Sequence, residues 1–138
     1  MDVVVLIGRV LFSVLFLGSA MGHFANADAM AGYAQSQGVP APKAGVLVSG
    51  GLLALGALSV VLGLWADAGM LLLAIVLVPI TLMMHAFWKE TDPQAKQTQQ
   101  IQFNKNLALI GAALMLFAFF AHTPELGLTL TGPLFDLS

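Results

Sequence analysis

The residues of this chain able to do chemistry in an apolar setting are few: Arg9, His23, His85, Lys105 and Asn106. An ionisable group within the bilayer costs roughly 2.5–3.5 kcal/mol on insertion scales, so it usually faces the protein interior or a wet cavity. Arg9 interrupts the apolar run that starts at Val3. It either anchors an anionic or carbonyl-bearing ligand, or snorkels to the near interface toward Asp67 or Asp2. His23 and His85 admit three readings. As a pair they would ligate a b-type haem iron, singly they would handle a proton or hydrogen-bond a quinone, and otherwise they are plain interfacial histidines. Haem is disfavoured because both sit at helix ends and nothing else marks a macrocycle pocket. Zinc lacks a third and fourth ligand, because His122 falls at the opposite face. The Asn106 amide either binds a ligand or cross-braces helices.

Common catalytic patterns are missing. The sequence holds no phosphate-binding Gly-rich loop with its Lys, no GxSxG, no HExxH and no intramembrane carboxylate pair. Asp67, Glu90, Asp92, Glu125 and Asp136 read as connections or tail, which argues against a carboxylate proton channel. Without cysteine there are no disulfides, thiolate metal sites or thiol chemistry. A net charge of −2 with five Lys and Arg leaves no basic field for nucleic acid. No tightly bound haem, metal or flavin is expected.

The elements that position these residues follow from composition. Of 138 residues, 59% are apolar and 9% charged, against about 25% charged in soluble domains. So little charge cannot coat a water-facing surface, and lipid must be the main solvent. A membrane-crossing helix needs about 20 mostly apolar residues. Spans are expected at about 3–25, 44–65, 68–88 and 103–121 of one domain, residues 1–138. The runs are apolar all round, without the two-residue alternation of a barrel. The fold class is therefore all-α, an integral membrane four-helix bundle. The N-terminus, Met1-Asp2 with no base before Arg9, does not resemble a cleavable signal.

Trp65-Ala66-Asp67 reads as a tight turn, and Lys89–Gln102 as a polar stretch in water. Between the first two spans, Asp28 is expected to cap a short helix through Gln37, lying flat at the interface on Met30 and Tyr33. Pro79 should kink the third span. Gly18, Gly22, Gly56, Gly63 and Gly111 are expected at helix contacts, where small residues allow close approach. Lys43, Lys89, Lys96 and Lys105 fall on one side, placing both termini outside the cytoplasm. Alternating direction also brings His23, His85, Trp88, Lys105 and Asn106 to that same cytoplasmic face.

Several motifs in order resemble the DoxX family of small four-helix membrane proteins. Ile7-Gly8-Arg9-Val10 opens the first span and Gly18-Ser19-Ala20-Met21-Gly22-His23-Phe24 closes it. Tyr33–Pro42 is similar to the family's Gly-x-Pro connection, Leu62-Gly63-Leu64 ends the second span, and His85-Ala86-Phe87-Trp88 ends the third. Phe103-Asn104-Lys105-Asn106-Leu107-Ala108-Leu109-Ile110-Gly111 opens the fourth, so the likeness covers roughly residues 5–120. The resemblance implies a membrane subunit or accessory of an oxidoreductase system, such as quinone-linked thiosulfate oxidation or a thiol or oxidative-stress complex. It singles out Arg9, His23, His85 and Asn106. Many relatives carry an acidic residue mid-way along the second helix, where this chain has Leu53, Ala54 and Leu55. The expectation is a DoxX-like subunit of a bacterial inner membrane, in contact with lipid and a larger complex. It would anchor or support a quinone-linked redox partner and would be an accessory rather than an enzyme alone. The rivals are a purely structural subunit and a small-molecule or quinone binder.

Overall fold

The computed structural model describes residues 1–137; Ser138, the last residue of the expected domain, lies outside the described residues. Four long helices carry the fold: α1 (Asp2–Ala25), α3 (Pro42–Leu62), α4 (Ala66–Met84) and α5 (Pro93–Ala121). A short α2 (Ala27–Ser36) joins the first two. All four are long and apolar enough to cross a membrane. Their outer faces leave Val4, Leu11, Leu55, Leu82, Leu107 and Met115 exposed, as a lipid solvent requires.

The helices pack in the order α1, α3, α4, α5, each antiparallel to its neighbour, and α1 and α5 make at most marginal contact. The main core runs through Phe16, Leu53, Ala57, Val60, Met70, Leu73 and Ala113. Phe16 and Leu53 carry it up to the wall of a cleft. The open side between α1 and α5 leaves room for that cleft.

Several boundaries differ from the sequence expectations, and one of them is the second turn: α3 ends at Leu62 rather than 65, and Ala66 and Asp67 open α4 instead of forming the turn. α5 begins ten residues before 103, at Pro93. Asp92 caps it by accepting from the Ala95 N–H at 2.8 Å, and Pro93 occupies the first turn. The third span stops at Met84, and the chain turns through a 3-10 segment at Phe87–Lys89. There Phe87, Trp88 and Phe103 pack edge to face, with ring centroids 5.3–5.7 Å apart. Asp28 does not cap α2. Asn26 is the N-cap residue, and Asp28 forms an ion pair with Lys43 at 2.8 Å. That ammonium, hydrogen-bonded to it, holds the Asp28 carboxyl below its ordinary value. α4 continues through Pro79.

The glycines divide sharply. A Cβ at Gly56 would meet Leu73 Cγ at 2.7 Å and the Gly69 carbonyl at 3.2 Å. Gly63, with φ +65°, ends α3 in the left-handed region and lies against Arg9 and Thr129. By contrast, Gly18, Gly22 and Gly111 would meet nothing within 4 Å, so these three do not serve contacts between helices of this chain. The spacing of a GxxxG pair does not say which way the pair faces. One substitution should therefore give opposite results at two sites. Gly56→Ala should destabilise by about 1–3 kcal/mol through overpacking. Gly18→Ala should leave the melting temperature in detergent unchanged or slightly raised, since Ala is the better helix former.

Candidate functional site

Arg9 lies one to two turns inside α1 and is 3% exposed. Nε donates to the Val60 carbonyl at 2.8 Å, Nη2 to Val61 at 2.8 Å and Nη1 to Leu128 at 2.7 Å. The side chain does not snorkel, and no ion pair joins it to Asp67 or Asp2. Val60 and Val61 are among the last carbonyls of α3, which have no intrahelical partner and carry the negative end of the helix dipole. Gly63 and Leu64 N–H groups return to Val60 and Ser59, a Schellman-type end. The tail completes the set, as Leu130 and Thr131 donate to the Gly63 carbonyl.

Asp67, fully buried in the first turn of α4, holds the same tail by its amides. It accepts from Leu134 N–H at 2.9 Å and Phe135 N–H at 2.7 Å. Arg9 and Asp67 thus clamp residues 123–137 over the end of the bundle that also carries His122. All three guanidinium nitrogens are engaged by the chain itself, so Arg9 serves architecture at the end opposite the histidines.

At that other end lies a cleft of about 800 Å³, within the size range of small-molecule sites. Leu15, Phe16, Leu52, Leu53, Ile80 and Met83 make much of its apolar wall. His23, Ser49, His85, Lys105 and Asn106 also line it. Four of the five residues singled out from sequence therefore meet at one cavity, and Arg9 does not.

Each polar side chain is held differently. His23 is 8% exposed, and its Nδ1 lies 2.7 Å from the Ser19 carbonyl one turn back. A carbonyl only accepts, so Nδ1 carries the proton. Gly50 allows this placement, since a Cβ there would meet His23 Cβ at 2.7 Å. His85, at the end of α4, places Nδ1 2.8 Å from Gln99 Oε1. Gln99 Nε2 donates to the Tyr33 hydroxyl at 3.1 Å, and Tyr33 donates to the Met84 carbonyl at 3.1 Å. Lys105 Nζ donates to Gln102 at 2.6 Å. Asn106 is 5% exposed and its amide makes no hydrogen bond among the described residues, while the fully buried side-chain atom left without a partner is Ser13 Oγ. Among those residues no group of three or more His, Asp or Glu converges to hold a metal.

Burial first, then the Glu90 charge, pushes the Tyr33 phenol above its ordinary value. The folded state therefore gains stability from neutral Tyr33 below the ordinary phenol range near 10, and loses it as pH rises through the raised value. Tyr33 is the only tyrosine, so ultraviolet absorbance of tyrosinate reads it directly. Its titration should lie higher in native than in denatured protein, and Glu90→Gln should reduce the gap. Identical native and denatured curves would show that neither burial nor the Glu90 charge acts on the Tyr33 phenol.

With this geometry in place, comparison with known families is decisive. The family model for DoxX matches residues 4–86, more than half of the chain. The chain belongs to the DoxX family. No curated protein and no solved structure matches it. The DoxX match takes in Arg9, His23 and His85 but ends before α5, so Lys105 and Asn106 lie outside it. This DoxX protein is a small multi-pass membrane protein.

Sequence reasoning missed Tyr33, Gln99 and Ser49 as parts of the cleft's surroundings, and Asp67 as a buried anchor. Asp92-Pro93 was the signal for Gln99. Once α5 starts at Pro93, Gln99 and Asn106 stand two turns apart on one face. Nothing local marked Asp67, because its partners lie 67 and 68 residues away.

Proposed function

We propose that this DoxX protein binds a lipid-soluble quinone-class molecule in its cleft and supports a membrane redox partner as an accessory subunit. The observation that carries the reading is the cleft's division of labour. Apolar side chains from α1, α3 and α4 suit a hydrocarbon tail and ring, while His23, His85 and the unpartnered Asn106 amide suit a polar head. An apolar pocket with a few converging polar groups is the usual form of a small-molecule site. The chain has no cysteine, so electrons would pass through the ligand and the partner rather than through thiols. The four lysines at the cleft end favour a cytoplasmic position for that end, with both termini outside, in a bacterial inner membrane.

The test is binding in lipid nanodiscs of a benzoquinone carrying a decyl tail, followed by native mass spectrometry and calorimetry. One molecule per chain is expected. Asn106→Leu should weaken it about tenfold, the scale of one lost buried hydrogen bond, without lowering the melting temperature. Absence of binding, together with a stable partner complex indifferent to Asn106→Leu, would favour a purely structural subunit. The outward-facing Gly18 and Gly22 would suit such packing.

A further inference from the structure

We infer that the cleft selects the reduced, hydroxyl-bearing form of its ligand, a quinol, over the carbonyl-bearing quinone. This rests on the proposed quinone-class reading and follows from where the protons lie. The Nδ1–H of His23 is committed to the Ser19 carbonyl. The single proton of Tyr33 goes to the Met84 carbonyl, so the hydroxyl oxygen must accept from Gln99 Nε2. That turns Gln99 Oε1 toward His85, and Nδ1 of His85 must be the donor. In each neutral imidazole the remaining nitrogen, Nε2, carries a lone pair and no proton. Among the described residues His23 and His85 bond through Nδ1 and not through Nε2, and both residues line the cleft. Ser49 adds a third acceptor, since its hydroxyl proton goes to the Val46 carbonyl at 3.0 Å.

The head end of the cleft thus offers three acceptors from three helices. The donors beside them do not discriminate. The Asn106 amide and the Lys105 ammonium can donate to a carbonyl or to a hydroxyl oxygen equally well. A quinol hydroxyl both donates and accepts, so it can satisfy an imidazole lone pair. A quinone carbonyl only accepts, and it would leave the lone pairs unmet in a site of low dielectric. Sites built to pair a ligand hydroxyl discriminate strongly against analogues that lack it.

The experiment uses the full chain in nanodiscs at pH 8 under anaerobic conditions. Three probes share one decyl tail: the benzoquinone, its hydroquinone and the dimethyl ether of that hydroquinone. The hydroquinone should bind at least about tenfold tighter than the other two, the scale of one unmet hydrogen bond. The double variant His23→Gln/His85→Gln supplies amides that can turn to donate or accept, so the preference should collapse to near parity. Equal or reversed affinities in the native protein overturn the selectivity while leaving the quinone-class reading intact. An ether that binds like the hydroquinone overturns it too, because shape would then be what is read. Failure of all three probes to bind overturns both.

Discussion

Arg9→Met should lower the stability of the folded chain by roughly 3 kcal/mol or more, read as the midpoint of detergent-induced unfolding. Hydrogen bonds to charged groups contribute about 1.5–3 kcal/mol each, and unmet buried acceptors add their own cost. The variant strips donors from Val60, Val61 and Leu128 together, though the three losses will not simply add. Arg9→Lys is the sharper comparison. One ammonium cannot reproduce the planar fork that reaches the end of α3 and the tail at once, so Lys should recover only part of the loss. If Arg9 merely snorkelled, Lys would restore it fully. The proposed ligand binding in the cleft should be nearly unchanged in any Arg9 variant that remains folded, because Arg9 does not line the cleft. A selective loss of binding at unchanged stability would return Arg9 to the ligand site.

Asp67→Ala should release the tail while the four spans stay in place. The carboxylate is the acceptor for both Leu134 and Phe135 amides, and each charge-assisted bond lost is worth about 1.5–3 kcal/mol. The tail's other ties include the Arg9 bond to the Leu128 carbonyl and neutral bonds from Leu130, Thr131 and Leu137, with Thr131 Oγ1 accepting from Trp65 N–H. Amide exchange at Leu134 and Phe135 should therefore accelerate by about tenfold to a hundredfold, in line with those energies. Helix content by circular dichroism should hardly change. Asp67→Asn keeps one acceptor oxygen and should fall between the two. Unchanged exchange in Asp67→Ala would mean that Arg9 and the neutral bonds alone hold the tail. The double variant Arg9→Met/Asp67→Ala should then show whether the two ends of the clamp couple, which residues sharing one docked segment are expected to do.

Legibility in the sequence was uneven, and particular residues show why. Lys43, Lys89, His85 and Asn106 could be placed at one end from connectivity alone, because antiparallel spans alternate direction and depth follows from position along the helix. Asn106 was also open to a bracing role, and in the structure it lines the cleft. Gly56 and Gly18 look alike in sequence yet face opposite ways. Arg9 was visible as an anomaly, but its partners are 51, 52 and 119 residues distant.

By itself the sequence determined the solvent, the number of spans, their antiparallel order and the end at which the polar groups gather. Hydropathy and length suffice for this, because a bilayer demands long apolar segments whose backbone groups are satisfied internally. Tertiary structure alone decided how each helix is rotated about its axis. The spans are apolar all round, so no amphipathic stripe says which face turns inward. That rotation sends Gly18 outward, sets His23 against Gly50, opens the cleft between α1 and α5, and brings the tail back onto Arg9 and Asp67.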